Sequence, residues 1–180
     1  RRSSGRRCAV GCCGGDGTFD VPGPEPIELG GHVVHPGERF FWYTSTGWMM
    51  WNFLVGGLLN GNVVVIYNGS PGYPNMDVLW RYAEKARMDY FGTAAAFVAA
   101  CIKGGIRPNQ QYDLSRIKAV GSTGSPLSLA GFSWIYENVN SHLALESFSG
   151  GTDLCTGSAR VRSSAERESR RASCRRRTAI

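Results

Sequence analysis

The sequence predicts an α/β fold: a partial parallel sheet with helical crossovers, its ends expected to be disordered. Three observations carry that reading. Short β-branched or aromatic runs alternate with stretches of helical spacing from Arg39 to Phe148. Small polar loops follow the first, fourth and fifth of these runs, at the edge where parallel sheets bind ligands. Finally, 19 of the 20 aromatic residues lie between positions 32 and 157, so the material for a core is confined to that span.

Taken in order, residues 1–31 are low-complexity, rich in Arg, Gly, Cys and Pro, and show no apolar period. Order is expected to begin near His32, with a turn at His35-Pro36-Gly37. Arg39-Phe40-Phe41-Trp42-Tyr43 reads as a buried strand, followed by the polar loop Thr44-Ser45-Thr46-Gly47. Trp48 opens a helix in which Trp51, Leu54, Val55 and Leu58 share one face. Gly56-Gly57 inside it suggests close packing, and Asn60-Gly61 ends it. The β-branched run Val63-Val64-Val65-Ile66 is of the kind found in parallel strands covered on both faces. After a long turn, Asn75 is placed to cap a helix whose Leu79, Tyr82, Ala83 and Ala86 repeat the helical spacing.

Asp89–Thr93 is the third strand, Ala94–Lys103 a helix, and Gly104-Gly105 its stop. Pro108–Ser115 reads as loop. Ile117–Val120 is a strand that runs into the small-residue loop Gly121-Ser122-Thr123-Gly124-Ser125-Pro126. The next helix carries Phe132, Ile135, Tyr136 and Val139 on one face. Leu143–Phe148 returns as a strand into Ser149-Gly150-Gly151-Thr152-Asp153. From residue 158 to 180 the pattern dissolves into an Arg/Ser-rich tail.

Charge sharpens this division. The net charge of +6 comes entirely from the tail, where eight arginines face Glu166 and Glu168; residues 32–157 balance eight basic against eight acidic groups. A basic pI confined to a tail does not make the domain a nucleic-acid binder. Cys8, Cys12 and Cys13 fit no usual zinc spacing, and Cys101 reads as a small buried hydrophobe. Cys155 lacks a basic activator close in sequence. No run is long and apolar enough for a membrane span, and the expectation is a reduced, cytoplasmic protein.

Three stretches can converge at the sheet edge: Thr44–Trp48, Gly121–Pro126 and Ser149–Asp153. They supply hydroxyls, backbone amides and one carboxylate, without lysine or arginine. The loop at Gly121–Pro126 is not a P-loop, which requires a Gly-Lys-Ser/Thr ending. A Ser-His-Asp hydrolase is disfavoured because Ser122 is in no Gly-x-Ser-x-Gly elbow. Asp153 can ligate Mg²⁺ or cap a helix. Trp48, Met49 and Met50 are core residues or the wall of a small apolar pocket. The inventory suits holding a nucleotide better than nucleophilic catalysis.

These same residues, in this order and spacing, resemble the adenylate-forming acyl-CoA synthetases over about residues 32–157. Thr46-Gly47-Trp48-Met49-Met50-Trp51-Asn52 and Ser149-Gly150-Gly151-Thr152-Asp153-Leu154-Cys155-Thr156 are similar to the subgroup that activates acetoacetate. The resemblance implies a piece of the large N-terminal AMP-binding domain of such a ligase. It implies ATP, Mg²⁺ and coenzyme A as partners of a short carboxylic acid, which is activated as an acyl-adenylate and passed to the CoA thiol. It places Gly124, Ser125 and Pro126 against adenine and Ser147, Phe148, Ser149, Gly150, Gly151 and Thr152 along AMP. Thr152 would bond the phosphate, as the one catalytic residue assigned, and Asp153, in place of the usual Glu, would hold the metal. Trp48, Met49, Met50, Thr123 and Gly150 would line the acid pocket, with Gly150 leaving room that a tryptophan takes in the acetate-using relatives.

The family's lysine-bearing phosphate loop, its ribose-binding aspartate and its C-terminal lid do not occur in this sequence, so the chain alone is expected to be inactive. Ends of this composition are also what GC-rich DNA gives when read out of frame. Two other readings stand beside this one: a ligase for another short-chain acid, and a non-catalytic protein whose basic tail binds RNA. A strand–helix series cut from a larger domain is expected to leave apolar surface uncovered.

Overall fold

The structure is a computed structural model that describes residues 27–29, 32–151 and 156–162, with side chains from residue 34 to residue 150. A short antiparallel pair, β1 (Ile27–Leu29) and β2 (His32–Val34), precedes β3 (Arg39–Trp42) and α1 (Met49–Gly56). There follow β4 (Val63–Val65), α2 (Val78–Ala86), β5 (Tyr90–Ala94), α3 (Ala95–Lys103), β6 (Ala119–Thr123), α4 (Leu129–Asn138), β7 (Ala144–Gly151) and β8 (Thr156–Arg162). The main sheet has the order β4-β3-β5-β6-β7-β8; β4 to β7 are mutually parallel, and β8 runs antiparallel beside β7.

The strands pair in register, so residues of one sheet row share a face. Phe41, Phe91, Val120 and Leu145 form one row and bury against α2, α3 and α4 through Leu79, Trp80, Phe97, Val98 and Ile135. Phe40, Tyr90, Ala119 and Ala144 form the preceding row on the opposite face, where Leu54 and Phe53 of α1 cover it. Successive side chains alternate between two covered faces, so β3 and β5 read as nearly continuous apolar runs. The chain order puts a topological switch between β3 and β5: from β3 it goes outward to β4 through α1, then crosses back to β5 through α2.

The opposite, N-terminal edge of the sheet is tied by a charge cluster. Asp89 is 1% exposed and accepts from the Arg39 backbone N–H at 2.9 Å and from Arg116 Nη2 at 3.1 Å. Lys118 Nζ lies 3.4 Å from Asp89 Oδ1 and 2.5 Å from Glu38 Oε1. Arg39 reaches from β3 to the Ala86 carbonyl at the end of α2. One carboxylate thus aligns the starts of β3, β5 and β6. Burial opposes the Asp89 charge, but the Arg39 N–H and the Arg116 guanidinium outweigh it and hold its pKa below the ordinary carboxylate range.

Several local expectations change. The strands β6 and β7 extend through Thr123 and Gly151, so Gly121-Ser122-Thr123 and Ser149-Gly150-Gly151 are strand rather than loop. The parallel run Val63–Val65 is the sheet's edge strand, not a strand covered on both faces; Val63 and the following Ile66 are exposed. On α1 only Leu54 of the four expected residues is fully buried: the helix tightens to a 3₁₀ turn at Gly57–Asn60, which rotates Leu58 outward, and Val55 faces solvent. Of the glycine pair, Gly57 packs tightly, since a Cβ there would sit 3.0 Å from the Phe40 ring, whereas Gly56 faces open space. Asn75 does not cap α2 with its side chain; its carbonyl accepts from Val78 N–H, and Asp77 holds the cap position. The antiparallel strand β8 has no counterpart in the sequence reading. Cys101 is buried as expected, and its thiol is pushed up to about 11 by burial.

Two predictions follow from the charge cluster and from the end of α2. Asp89→Ala leaves three donors without their common acceptor and should destabilise the fold by about 3 kcal/mol at pH 7, the low end for broken buried pairs because Arg116 and Lys118 stay half in water. The folded pKa of Asp89 is depressed, so its stabilisation is present above the unfolded carboxylate pKa and is lost as pH falls through the folded value. The gap between wild type and variant in urea titrations should therefore narrow on acidification. Arg87 closes α2 in the left-handed region (φ 52°), which penalises any side chain. Arg87→Gly should stabilise by about 0.5–1 kcal/mol, read as a higher urea midpoint at unchanged slope.

Candidate functional site

All five parallel strands point the same way, so the ends of β3, β6 and β7 reach one edge. There the chain supplies the loop from Tyr43 to Trp48, the loop Gly124-Ser125-Pro126 and the end of β7. Gly124 takes φ 86°, a left-handed turn that suits glycine. It swings the chain out of β6, leaving Ser125 and Pro126 exposed before Leu127 turns back into the core. The Ser128 hydroxyl then caps α4 by accepting from Gly131 N–H at 3.1 Å.

Two hydrogen bonds lock that loop to β7. The buried Ser147 hydroxyl accepts from Leu127 N–H at 3.2 Å, and Thr123 Oγ1 donates to the Phe148 carbonyl at 3.4 Å. The adenine-loop candidates Gly124, Ser125 and Pro126 are thus held beside Ser147, Phe148, Ser149 and Gly150, two stretches separated by some twenty residues of chain. Ser149 and Gly150 are exposed at the edge, and Gly151 ends β7. Thr152, Asp153 and Cys155 lie outside the described residues.

The acid-pocket candidates divide. Met49 and Met50 open α1 and are partly buried; Met50 packs on the cluster of Phe40, Trp42, Leu54 and Tyr90. Thr123 is partly buried at the end of β6. Trp48 holds the N-cap position of α1 and is 65% exposed, so it does not join the packed cluster. Phe148 packs on the same cluster as Met50, its backbone carbonyl accepts from Thr123, and its ring centroid is 5.9 Å from that of Trp42.

The sequence reading placed Trp42 in a buried strand but missed its bed. The indole crosses the neighbouring strands over Gly92 and Gly121, which share its row. A Cβ on Gly92 would overlap the Trp42 ring, and one on Gly121 would sit 2.6 Å from Trp42 Cη2 and against the Tyr90 hydroxyl. The Tyr90 ring stacks on Trp42 at 6.0 Å and 26°, and the same row ends in the buried carboxylate of Glu146. Burial pushes the Tyr90 phenol well up, and the nearby Glu146 charge adds to it, so the phenol keeps its proton. Glycine inside a strand signals close approach of another group, and Gly92 and Gly121 were the available clue.

Among the described residues no group of three or more His, Cys, Asp or Glu could hold a metal ion. No helix among them is long and apolar enough to cross a membrane. Two clefts, of about 630 and 430 Å³, open elsewhere; their walls include Gly105–Arg107 after α3 and Asp113–Ile117 before β6, at the N-terminal edge.

No family model matches the sequence. The acetoacetyl-coenzyme A synthetase of Rhizobium meliloti (strain 1021) is 48% identical over 121 residues, which cover 67% of this chain and 19% of that protein. The acetoacetyl-CoA synthetase of Gallus gallus is 36% identical over 127 residues, covering 68% of this chain and 19% of that one. Among solved structures, the acetoacetyl-CoA synthetase from Streptomyces lividans superposes with a TM-score of 0.68 at 52% identity, covering 72% of this chain and 20% of that chain. The chain thus spans about a fifth of the length of the relatives it matches. The chain belongs to the acetoacetyl-CoA synthetase family as a partial segment of it.

Proposed function

We propose that residues 32–157 form the adenine- and acid-binding part of an ATP-dependent acid–CoA ligase that acts on acetoacetate. The observation that carries this is the clip of Leu127 N–H onto Ser147 together with the Thr123–Phe148 bond. It holds Gly124, Ser125 and Pro126 against the strand that runs toward Thr152, so one nucleotide can touch both. In this reading adenine lies along the exposed 124–126 loop, and the AMP moiety follows residues 147–152. Thr152 donates to the phosphate, and Asp153 would help hold Mg²⁺, whose charge would offset that of the phosphates.

The reaction has two displacements. The acid's carboxylate oxygen bonds to the α-phosphorus of ATP and pyrophosphate leaves; the CoA thiol then adds to the acyl carbonyl and AMP leaves. The part this segment plays is orientation: it fixes adenine, α-phosphate and acid in one line. The acid's apolar end faces Met49, Met50 and Thr123, and the absent side chain at Gly150 gives a four-carbon acid its length. Exposed Trp48 joins that wall only by folding inward. Acetoacetate is favoured over a shorter acid on the strength of Gly150 and of the relatives' shared specificity.

The test is to splice residues 32–157 into the Streptomyces lividans synthetase in place of its matching fifth and to measure acid-dependent pyrophosphate exchange. Exchange driven by acetoacetate supports the reading; a folded splice without exchange for any short acid overturns it. In the active splice, Gly150→Trp should lower kcat/KM for acetoacetate relative to acetate by about 10–100-fold. An unchanged ratio would show that Gly150 does not bound the acid.

A further inference from the structure

We propose that Trp42 is a positioning residue for acid specificity: lying across Gly92 and Gly121, it sets the height of Phe148 and hence the depth of the acid pocket. The inference rests on the adenylate reading above and adds to it a residue that no sequence motif of the site contains. Trp42 is 2% exposed, so it acts through the ring above it.

Three observations carry it. The Cγ–Cδ2–Cε3 edge of the indole lies over Gly92, and the far corner of its six-membered ring, Cζ3 and Cη2, lies over Gly121. Neither position admits a Cβ without moving the ring, so the indole has one resting height on the sheet. Phe148, partly buried, leans on Trp42 at a tilt of 60°, and Phe53 of α1 meets the indole edge-on at 6.1 Å. The Phe148 ring shares the sheet face of Trp42 and, by strand alternation, of Gly150. The irregularity in the β7–β8 pairing leaves this alternation intact, because Ser149 pairs Ala159 and Gly150 pairs Gly157, so the extra residue is on β8. A glycine within a strand destabilises it, and two glycines in one row are kept where a large group must lie flat on the backbone.

Trp42→Phe keeps the ring over Gly92 and removes the part over Gly121. Phe148 should sink toward the sheet, and the pocket should lengthen by the thickness of about two methylene groups. The full chain and its variant would be titrated calorimetrically with N-acylsulfamoyl adenosines bearing acetyl, butyryl and hexanoyl groups, stable stand-ins for the acyl-adenylate, and with AMP. The expected result is a rise of about 15-fold in the hexanoyl-to-butyryl affinity ratio, roughly fourfold for each of the two methylenes, with AMP affinity unchanged. A loss shared equally by AMP and every acyl group would mean a purely structural role and overturn the inference. Butyryl preference unchanged from wild type would also overturn it while leaving the adenylate reading intact. Wild-type chain that binds none of the adenosines would overturn the adenylate reading and this inference together. Should Trp42→Phe fail to fold, Phe148→Leu shortens the same stack from its outer end and should move the ratio in the same direction.

Discussion

The fit of one indole onto two bare backbone positions organises much of this structure. Trp42 fills the face of the sheet that, among the described residues, carries α1 alone, and it does so by spreading over three strands instead of standing up from one. That requires glycine at both Gly92 and Gly121. Because the ring lies flat, Tyr90 can stack beside it, Phe148 can lean over it, and α1 can approach closely enough for Phe53 to meet Phe40 and Trp42 edge-on. The same bareness at Gly121 makes space for the Tyr90 hydroxyl near Glu146. Replacing either glycine would therefore disturb packing, polarity and the position of the first turn of α1 at once, and these cannot be adjusted separately.

The two sheet edges have opposite characters, and the division of labour follows from it. At the N-terminal edge the strands begin in a dense charge cluster in which Asp89 gathers donors from β3 and from the segment before β6. Basic groups concentrate there: Arg39, Arg87, Arg107, Arg116 and Lys118 all lie at or near that edge. At the C-terminal edge the described loops carry hydroxyls, amides and glycines, with no lysine or arginine in residues 43–48, 66–77 or 123–128. A rigid, ion-paired base and an open polar rim are what a site built from strand ends needs, since loops position ligands only as well as the scaffold holds them.

Fold class and the succession of strands and helices were legible because alternation of apolar runs with helical spacings is a periodic signal. The end of each strand was not. Ser122 and Thr123 look like loop residues by their small polar neighbours, yet both continue β6 through sheet pairing with Thr93, Ala94 and Ser147. Helix faces were legible where the helix is long, as on α4, and failed on α1, where the 3₁₀ turn breaks the period after Gly56. The site's motifs could be read directly because their residues are contiguous. Ser147 as the clip for Leu127, and Trp42 as the support for Phe148, could not: both depend on contacts between strands distant in sequence, and nothing local marks them.

The chemistry of an acyl-adenylate site also says what this segment can supply. Transfer at phosphorus gathers negative charge on the phosphate oxygens, and stabilising it takes cationic groups held in place before the reaction. The converging loops described here offer neutral donors and, beyond them, Thr152 and the anionic Asp153. Neutral donors can orient a nucleotide and shape an acid pocket, and an aspartate can recruit a divalent cation. They cannot by themselves offset the charge of a departing pyrophosphate. Under the proposed function, this inventory of charges suits a segment that binds and orients its substrates. Cationic groups supplied from elsewhere would complete it, and the segment would set which acid is presented to them.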